Sequence, residues 1–259
     1  MCGLAGVILG TKRRRHAELA EIAARFTQLL ILNERRGRHA TGVALVDRDG
    51  GHELLKRPLP AHEFVALDLY REVLAELSNR TTCILGHTRW PTRGSPAEPL
   101  NNQPIRRGRT LGTHNGTILN STPLARAHGI RRLCQVDTEV LVRLADDAHD
   151  LDDFLGRLSA ARGELSAALV RLDRPGEVTL IRGNKPLAAR FHPRWRALFY
   201  ASEARDLDAA LAGEPVHVEW IPPMTGLVAR VEDLTDPEPF AVNFQPESRR
   251  ARLAGLGTP

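Results

Sequence analysis

Met1-Cys2-Gly3-Leu4-Ala5-Gly6-Val7-Ile8 opens the chain, and the fold and the chemistry are both read from it. Residues 2 to 9 are almost wholly apolar, which fits a strand buried on both faces better than one with a wet side. Cys2 stands directly behind the initiator methionine. Small residues there generally permit removal of the methionine, after which Cys2 carries a thiol and a free α-amine, a nucleophile and a base on one residue. A second-position cysteine before an ordinary buried strand carries no chemistry by itself. The weight therefore falls on what lies further along.

After the basic cluster Lys12-Arg13-Arg14-Arg15, the residues Leu19, Ile22, Ala23, Phe26, Leu29 and Leu30 recur at helical spacing and predict an amphipathic helix from His16 to about Leu32. Val43 to Val46 reads as a strand, Asp49-Gly50-Gly51 as a hairpin turn, and His52 to Lys56 as the antiparallel return. Residues 61 to 78 go back to helical spacing through Phe64, Leu67, Leu74 and Leu77. Thr81 to Thr88, β-branched and apolar, predicts a strand ending at Arg89-Trp90, where Pro91 removes a backbone donor and begins a turn. Gly, Pro, Ser and Asn mark a loop from Gly94 to Asn102. A strand from Thr110 to His114 follows, with Asn115-Gly116 read as the turn after it. Val136-Asp137-Thr138-Glu139 has the form of a helix start with Asp137 as N-cap. Further strands are expected at Glu164 to Leu172, Glu177 to Arg182, Leu187 to Arg190 and Ala197 to Ala201, with Arg174-Pro175-Gly176 as one of the turns. A short helix runs from Ser202-Glu203-Ala204 to Leu211, residues 215 to 244 hold three more strand candidates, and residues 246 to 259 read as a loose basic tail.

At 259 residues the chain is long enough to bury a substantial core, and residues 1 to 245 are read as one domain. No run of about 18 apolar residues offers a membrane span. The short apolar start precedes its basic cluster, which is the reverse of a signal peptide. Three cysteines, Cys2, Cys83 and Cys134, are too few and too irregular for a disulfide framework or a zinc site, so no metal or cofactor is expected and a reducing cytoplasm is the natural setting. The net charge of +5 invites a nucleic-acid reading, yet only three of the 36 basic residues are lysine and aromatics make up 5%. That arginine bias reads as GC-rich coding, and stacking platforms for bases are absent, so nucleic acid is not the expected partner.

Four separated segments change the weight of Cys2: Arg35-Arg36-Gly37 with Gly42, His87-Thr88-Arg89-Trp90-Pro91-Thr92-Arg93-Gly94, His114-Asn115-Gly116-Thr117-Ile118-Leu119-Asn120, and Asp137-Thr138-Glu139-Val140. With Cys2-Gly3, and in this order, they resemble the signature of class II glutamine amidotransferase domains, which are N-terminal-nucleophile hydrolases. The likeness is greatest to the glutaminase half of glucosamine-6-phosphate synthase, then to that of amidophosphoribosyltransferase. It covers roughly residues 2 to 205. The resemblance implies an α+β fold, a four-layer αββα sandwich of two antiparallel sheets between helix layers.

It also implies roles. Cys2 is the nucleophile. The side-chain amide of Asn115 and the backbone N–H of Gly116 form an oxyanion hole, which attack on an amide demands wherever charge develops; taken alone, Asn-Gly is a common hairpin turn. Arg89 holds the α-carboxylate of L-glutamine, a task that suits a guanidinium's paired donors. Trp90 forms a wall, Thr92 hydrogen-bonds the carboxylate, and Asp137 binds the α-ammonium, which does not exclude its capping a helix. Arg93 stands where relatives commonly have histidine, and Pro91 where they have alanine. Arg36 supports the N-terminus electrostatically, or else merely complements a helix C-terminus. No acceptor-domain motif follows residue 210, so the expected partner is a separate ammonia-accepting synthase, with a homo-oligomer compatible with the sequence. Two other readings remain open: an N-terminal-nucleophile amidohydrolase of another substrate, and a non-catalytic regulatory or binding protein on the same fold.

Overall fold

A computed structural model describes residues 1 to 247. In chain order its elements are β1 (Gly3–Leu9), α1 (His16–Leu32), β2 (Ala40–Asp47), β3 (His52–Arg57), α2 (Ala61–Phe64), α3 (Asp68–Ala75), β4 (Thr81–Arg89), β5 (Ile105–Arg107), β6 (Thr110–Ile118), α4 (Ser121–Ala127), α5 (Thr138–Asp146), α6 (Leu151–Leu158), β7 (Arg162–Arg171), β8 (Arg174–Arg182), β9 (Ala188–His192), β10 (Ala197–Ala201), α7 (Ala204–Ala210), β11 (His217–Glu219), β12 (Thr225–Arg230), β13 (Asp233–Ala241) and β14 (Gln245–Pro246). No helix among the described residues is long and apolar enough to cross a membrane.

The strands form two sheets. One runs β11-β9-β10-β1-β4-β2-β3, the other β13-β12-β8-β7-β6-β5, and every pairing along these paths is antiparallel. Three apolar cores separate four layers. The first packs Ile22, Phe26 and Leu29 of α1 against Ala5, Val7 and Leu9 of β1; the second joins Leu4 and Ile8 of β1 to Leu111 and Ala168 of the opposite sheet; the third packs Val140, Leu141 and Leu144 of α5 against Ala167 and Leu169 of β7. Because side chains alternate along a strand, residue parity sorts each strand between two cores. Even-numbered residues of β1 and odd-numbered residues of β4 and β6 face the space between the sheets. The αββα sandwich follows from β1, β4 and β10 being apolar on both faces.

Helix α1 and strand β4 take the bounds their patterns predict, and the Asp49-Gly50-Gly51 hairpin forms with Gly50 at φ +81°. Other expectations are corrected. The helical spacing of residues 61 to 78 resolves into two short helices, because the chain extends at Leu67 before α3. Asn115-Gly116 is no turn: β6 continues through it to Ile118, with Asn115 opposite Ser166 and Gly116 opposite Leu165. The ladder to β7 runs on through these residues, although β5 ends opposite Gly112, and it overrides the local turn preference. The β7–β8 hairpin turns at Leu172-Asp173, while Arg174-Pro175-Gly176 already belongs to β8. Helices α4 and α6 fall in stretches without a sequence reading. The expected tail begins two residues too early, since Gln245 and Pro246 pair in parallel with Arg162 and Gly163, and the Glu247 N–H donates to the Gly163 carbonyl at 2.8 Å. Residues 248 to 259 lie outside the described residues.

The close approach of β1 to β10 is testable at Gly6, where an added Cβ meets the buried Tyr200 ring at 2.2 Å. Gly6→Ala is expected to lower unfolding free energy by about 1–3 kcal/mol through overpacking, read as a lower midpoint in chemical denaturation.

Candidate active site

The site is assembled around the start of β1. Leu4 is clamped on both backbone groups: its N–H donates to Ser202 Oγ at 2.9 Å, and its carbonyl accepts from the Ser202 N–H at 3.0 Å and from Asn33 Nδ2 at 3.0 Å. Arg36, buried just past the end of α1, donates from Nε to the Cys2 carbonyl at 2.8 Å and pairs through Nη1 with Glu203. Gly37 is pressed so closely on the Arg89–Trp90 backbone that a Cβ would lie 2.3 Å from the Arg89 carbonyl carbon. Only glycine allows that approach, so the Arg36-Gly37 pair is a packing device as well as a charge.

Cys2 is half buried, and its thiol donates to the Trp90 carbonyl at 3.5 Å. Burial pushes the thiol up from its ordinary value; the N-terminal ammonium and the Arg89 guanidinium pull it down, and the Asp137 carboxylate raises it further. Three groups far apart in sequence, Cys2, Arg89 and Asp137, thus lie within electrostatic reach of one another. In this chain the N-terminal amine belongs to Met1, and burial lowers it from its ordinary value, with Cys2, Arg36, Lys185 and Glu164 the charges around it.

Arg89 ends β4 on the inter-sheet side and is buried. Its Nη1 donates to Asn102 Oδ1 at 2.7 Å, and its Nη2 to the carbonyls of Arg93 at 2.6 Å and Gly94 at 2.8 Å. The guanidinium therefore braces the loop that follows it. Trp90 is 48% exposed and meets His39 edge-on at 4.9 Å between ring centroids. Thr92 and Arg93 are exposed on the loop, and Arg93 reaches Ser121 Oγ at 3.5 Å.

From the facing sheet, β6 presents Asn115 on its inter-sheet face, where its Nδ2 is buried without a partner among the described residues. Gly116 has φ +145°, and a Cβ there would lie 2.0 Å from the Glu164 carbonyl oxygen. His114 is fixed between elements: Nε2 faces the Glu164 carbonyl at 3.1 Å and Nδ1 the Thr138 hydroxyl at 3.3 Å. A carbonyl only accepts, so Nε2 carries the proton and Nδ1 accepts. Gln103 straps the same residue, accepting from the His114 N–H at 2.6 Å and donating to its carbonyl at 3.1 Å.

Asp137 precedes α5 in the N-cap position, but its carboxylate makes no cap bond. It accepts instead from the Ile118 N–H at 2.5 Å, at the end of β6, and is buried. The capping expectation is corrected: the carboxylate turns to the strand that carries Asn115, and only one of its oxygens is engaged. His87, on β4 two residues before Arg89, is fully buried and pushed down to about 3 by burial, with Arg89 adding to the effect; it is neutral at physiological pH.

Residues missed in the sequence are the supports, Asn33, Ser202, Glu203, Asn102 and Gln103. The Ala201-Ser202-Glu203 segment carried the faintest signal, and a polar Asn33 ending an otherwise apolar helix face was the other available clue. A concavity of about 410 Å³, lined by Thr110, His149, Phe154, Arg171 and Arg230 among others, contains none of the site residues. It follows surface grooves between α5–α6 and the second sheet, whereas the chemistry-bearing groups converge at the mouth between sheets.

No family model matches the chain. It is 31% identical over 203 residues to a glutamine–fructose-6-phosphate aminotransferase (isomerizing) of Aeropyrum pernix, a match covering 72% of this chain and 30% of that protein. It is 26% identical over 231 residues to a 7-cyano-7-deazaguanine synthase of Saccharolobus solfataricus, covering 86% of this chain and 47% of the relative. The chain thus spans less than half the length of either relative. Among solved structures, glutamine phosphoribosylpyrophosphate amidotransferase from B. subtilis shares the fold with a TM-score of 0.67 at 20% identity, over 93% of this chain and 49% of that one. Together with the ordered segments from Cys2 to Asp137 and the two-sheet architecture, these likenesses identify the chain as a member of the class II glutamine amidotransferase domain family.

Proposed function

We propose that this domain hydrolyses L-glutamine to glutamate and ammonia through a thioester on Cys2. What supports the reading is that Arg89 and Asp137, one cation and one anion to suit the two charged ends of an amino acid, both act electrostatically on the Cys2 thiol, and that the Asn115 amide is buried without a partner among the described residues. Removal of Met1 frees the Cys2 amine, which takes the thiol proton directly or through a water. The thiolate sulfur bonds to the side-chain carbonyl carbon, and the carbonyl π pair moves to oxygen. Asn115 Nδ2 and the Gly116 N–H stabilise that oxyanion. Collapse breaks the C–N bond, the amine returns its proton to the leaving nitrogen, and ammonia departs. Water then attacks the thioester, the C–S bond breaks, and glutamate and thiol are restored.

Arg89 and Thr92 hold the α-carboxylate, Asp137 the α-ammonium, and Trp90 walls the site. Arg93 adds a donor at its rim. Arg36 fixes the Cys2 carbonyl and so the direction of the nucleophile. Residues 1 to 245 act as the glutaminase domain. Ammonia passes to an ammonia-accepting synthase, proposed here as a separate polypeptide, whereas the relatives carry more than half their length outside the matching part on one chain. The free thiols of Cys2, Cys83 and Cys134 suit a reducing cytoplasm.

Purified chain is expected to release glutamate from glutamine and Cys2→Ala to release none, with intact mass showing Met1 absent from the active protein. Inactivity of fully processed wild-type chain, alone and with co-purifying proteins, overturns the reading. Asn115→Ala is expected to lower kcat on the order of 10²–10³-fold with little change in KM. Asp137→Asn should act mainly through KM, since its charge meets a part of the substrate that does not react. Arg36→Met leaves Glu203 without its partner and Cys2 without its brace; a loss of kcat, together with a lower thermal midpoint, is expected from measuring both.

A further inference from the structure

Beyond the groups assigned above, one ion pair lies beside the N-terminus. Lys185 sits in the β8–β9 loop, 2.7 Å through Nζ from Glu164 Oε1 on β7 and 3.7 Å from Met1 Sδ. The loop is not free to wander. Asn184 donates from Nδ2 to the Gly163 carbonyl at 3.0 Å and accepts from the Leu165 N–H at 2.9 Å, and the Lys185 N–H donates to the Leu165 carbonyl at 3.2 Å. The same three residues of β7, Gly163 to Leu165, pair with Gly116 to Ile118 of β6. One short stretch of β7 therefore carries both the seat of Lys185 and the backing of the oxyanion strand.

We propose that Lys185, oriented by Glu164, is a positioning residue for the amine that removal of Met1 exposes on Cys2, holding that amine in its neutral, proton-accepting form. The inference rests on the glutaminase reading and assigns what that reading leaves open, namely why the amine is a base when the reaction starts. An ammonium next to an amine disfavours a second positive charge, and a carboxylate beside both limits the effect and fixes the lysine's direction. The charges around the Met1 amine, one peptide unit from the nitrogen that removal of Met1 frees, are Arg36 from the segment after α1, Lys185 from the β8–β9 loop, Glu164 from β7 and the Cys2 thiol, while Arg89 from β4 and Asp137 before α5 act on Cys2 itself. With Arg89 and Asp137 opposing each other at Cys2, Arg36 and Lys185 against Glu164 tip the balance toward the neutral amine. Both side chains of the pair are largely shielded, at 15% and 21% exposure, so solvent screens them less than a surface pair.

The test uses full-length chain whose mass shows Met1 removed. Labelling with nitrogen-15 cysteine gives one α-amine resonance, whose titration is followed in wild type, Lys185→Met, Lys185→Arg and Glu164→Gln alongside the pH dependence of kcat/KM for glutamine. Lys185→Met is expected to move the amine titration and the acid limb of the profile upward together, so that kcat/KM in mildly acid solution falls on the order of fivefold to tenfold and converges with wild type in alkali. Lys185→Arg should retain the wild-type profile, and Glu164→Gln should shift both downward. An amine titration unmoved by Lys185→Met, or a loss uniform across pH or confined to KM, overturns the proposal. The resonance reports on the amine whether or not glutamine is turned over, so failure of the glutaminase reading is seen separately as absence of glutamate release from wild type.

Discussion

The structure depends on the pinning of its first strand. Under the proposed reading the nucleophile lies next to a chain end, where few neighbours along the chain can hold it and fraying would lose the position of its thiol to conformational freedom. Here β1 lies between β4 and β10, Leu4 is clamped by Ser202 and Asn33, and Arg36 takes the Cys2 carbonyl. These bonds come from four places in the chain.

From that anchor the rest is parity. With Cys2 on the side of Leu4 and Ile8, with His87 and Arg89 on the side of Cys83 and Leu85, and with Asn115 on the side of Leu111, the reacting groups share the space that elsewhere holds the middle core. The sandwich is filled with apolar side chains along most of its length and gives way to polar ones at one end. The electrostatics there are balanced rather than strong. Burial raises the thiol, Arg89 and Asp137 act on it in opposite directions, and His87 stays neutral because charging it would cost burial twice, once in lost solvation and once against Arg89.

Much of this was legible in the sequence where a residue's role is set by its neighbours along the chain. The continuous apolar runs of β1 and β4 and the 3.6-residue spacing of α1 placed these elements, and the ordered segments from Cys2 to Asp137 named the groups proposed for the site. What was hidden depends on partners far away in the chain. Asn115-Gly116 has the composition of a turn, and only its ladder to β7 makes it strand. Asp137 has the position of a cap, and only the end of β6 draws its carboxylate elsewhere. Gln103 carries no local pattern, and Asn33 and Ser202 only a faint one, because each is defined by the backbone group it satisfies on another element.

Arg89 carries a consequence of its own. Both planar forks that a guanidinium can offer a carboxylate, end-on and side-on, include Nη2, and here Nη2 already serves the carbonyls of Arg93 and Gly94. Under the proposed reading, occupancy of the site by an amino acid and attachment of the loop that follows Arg89 therefore draw on the same two hydrogens. The two equilibria are thermodynamically linked, and by reciprocity anything that rearranges residues 93 to 102 alters affinity for the occupant by the same factor as the occupant alters the loop.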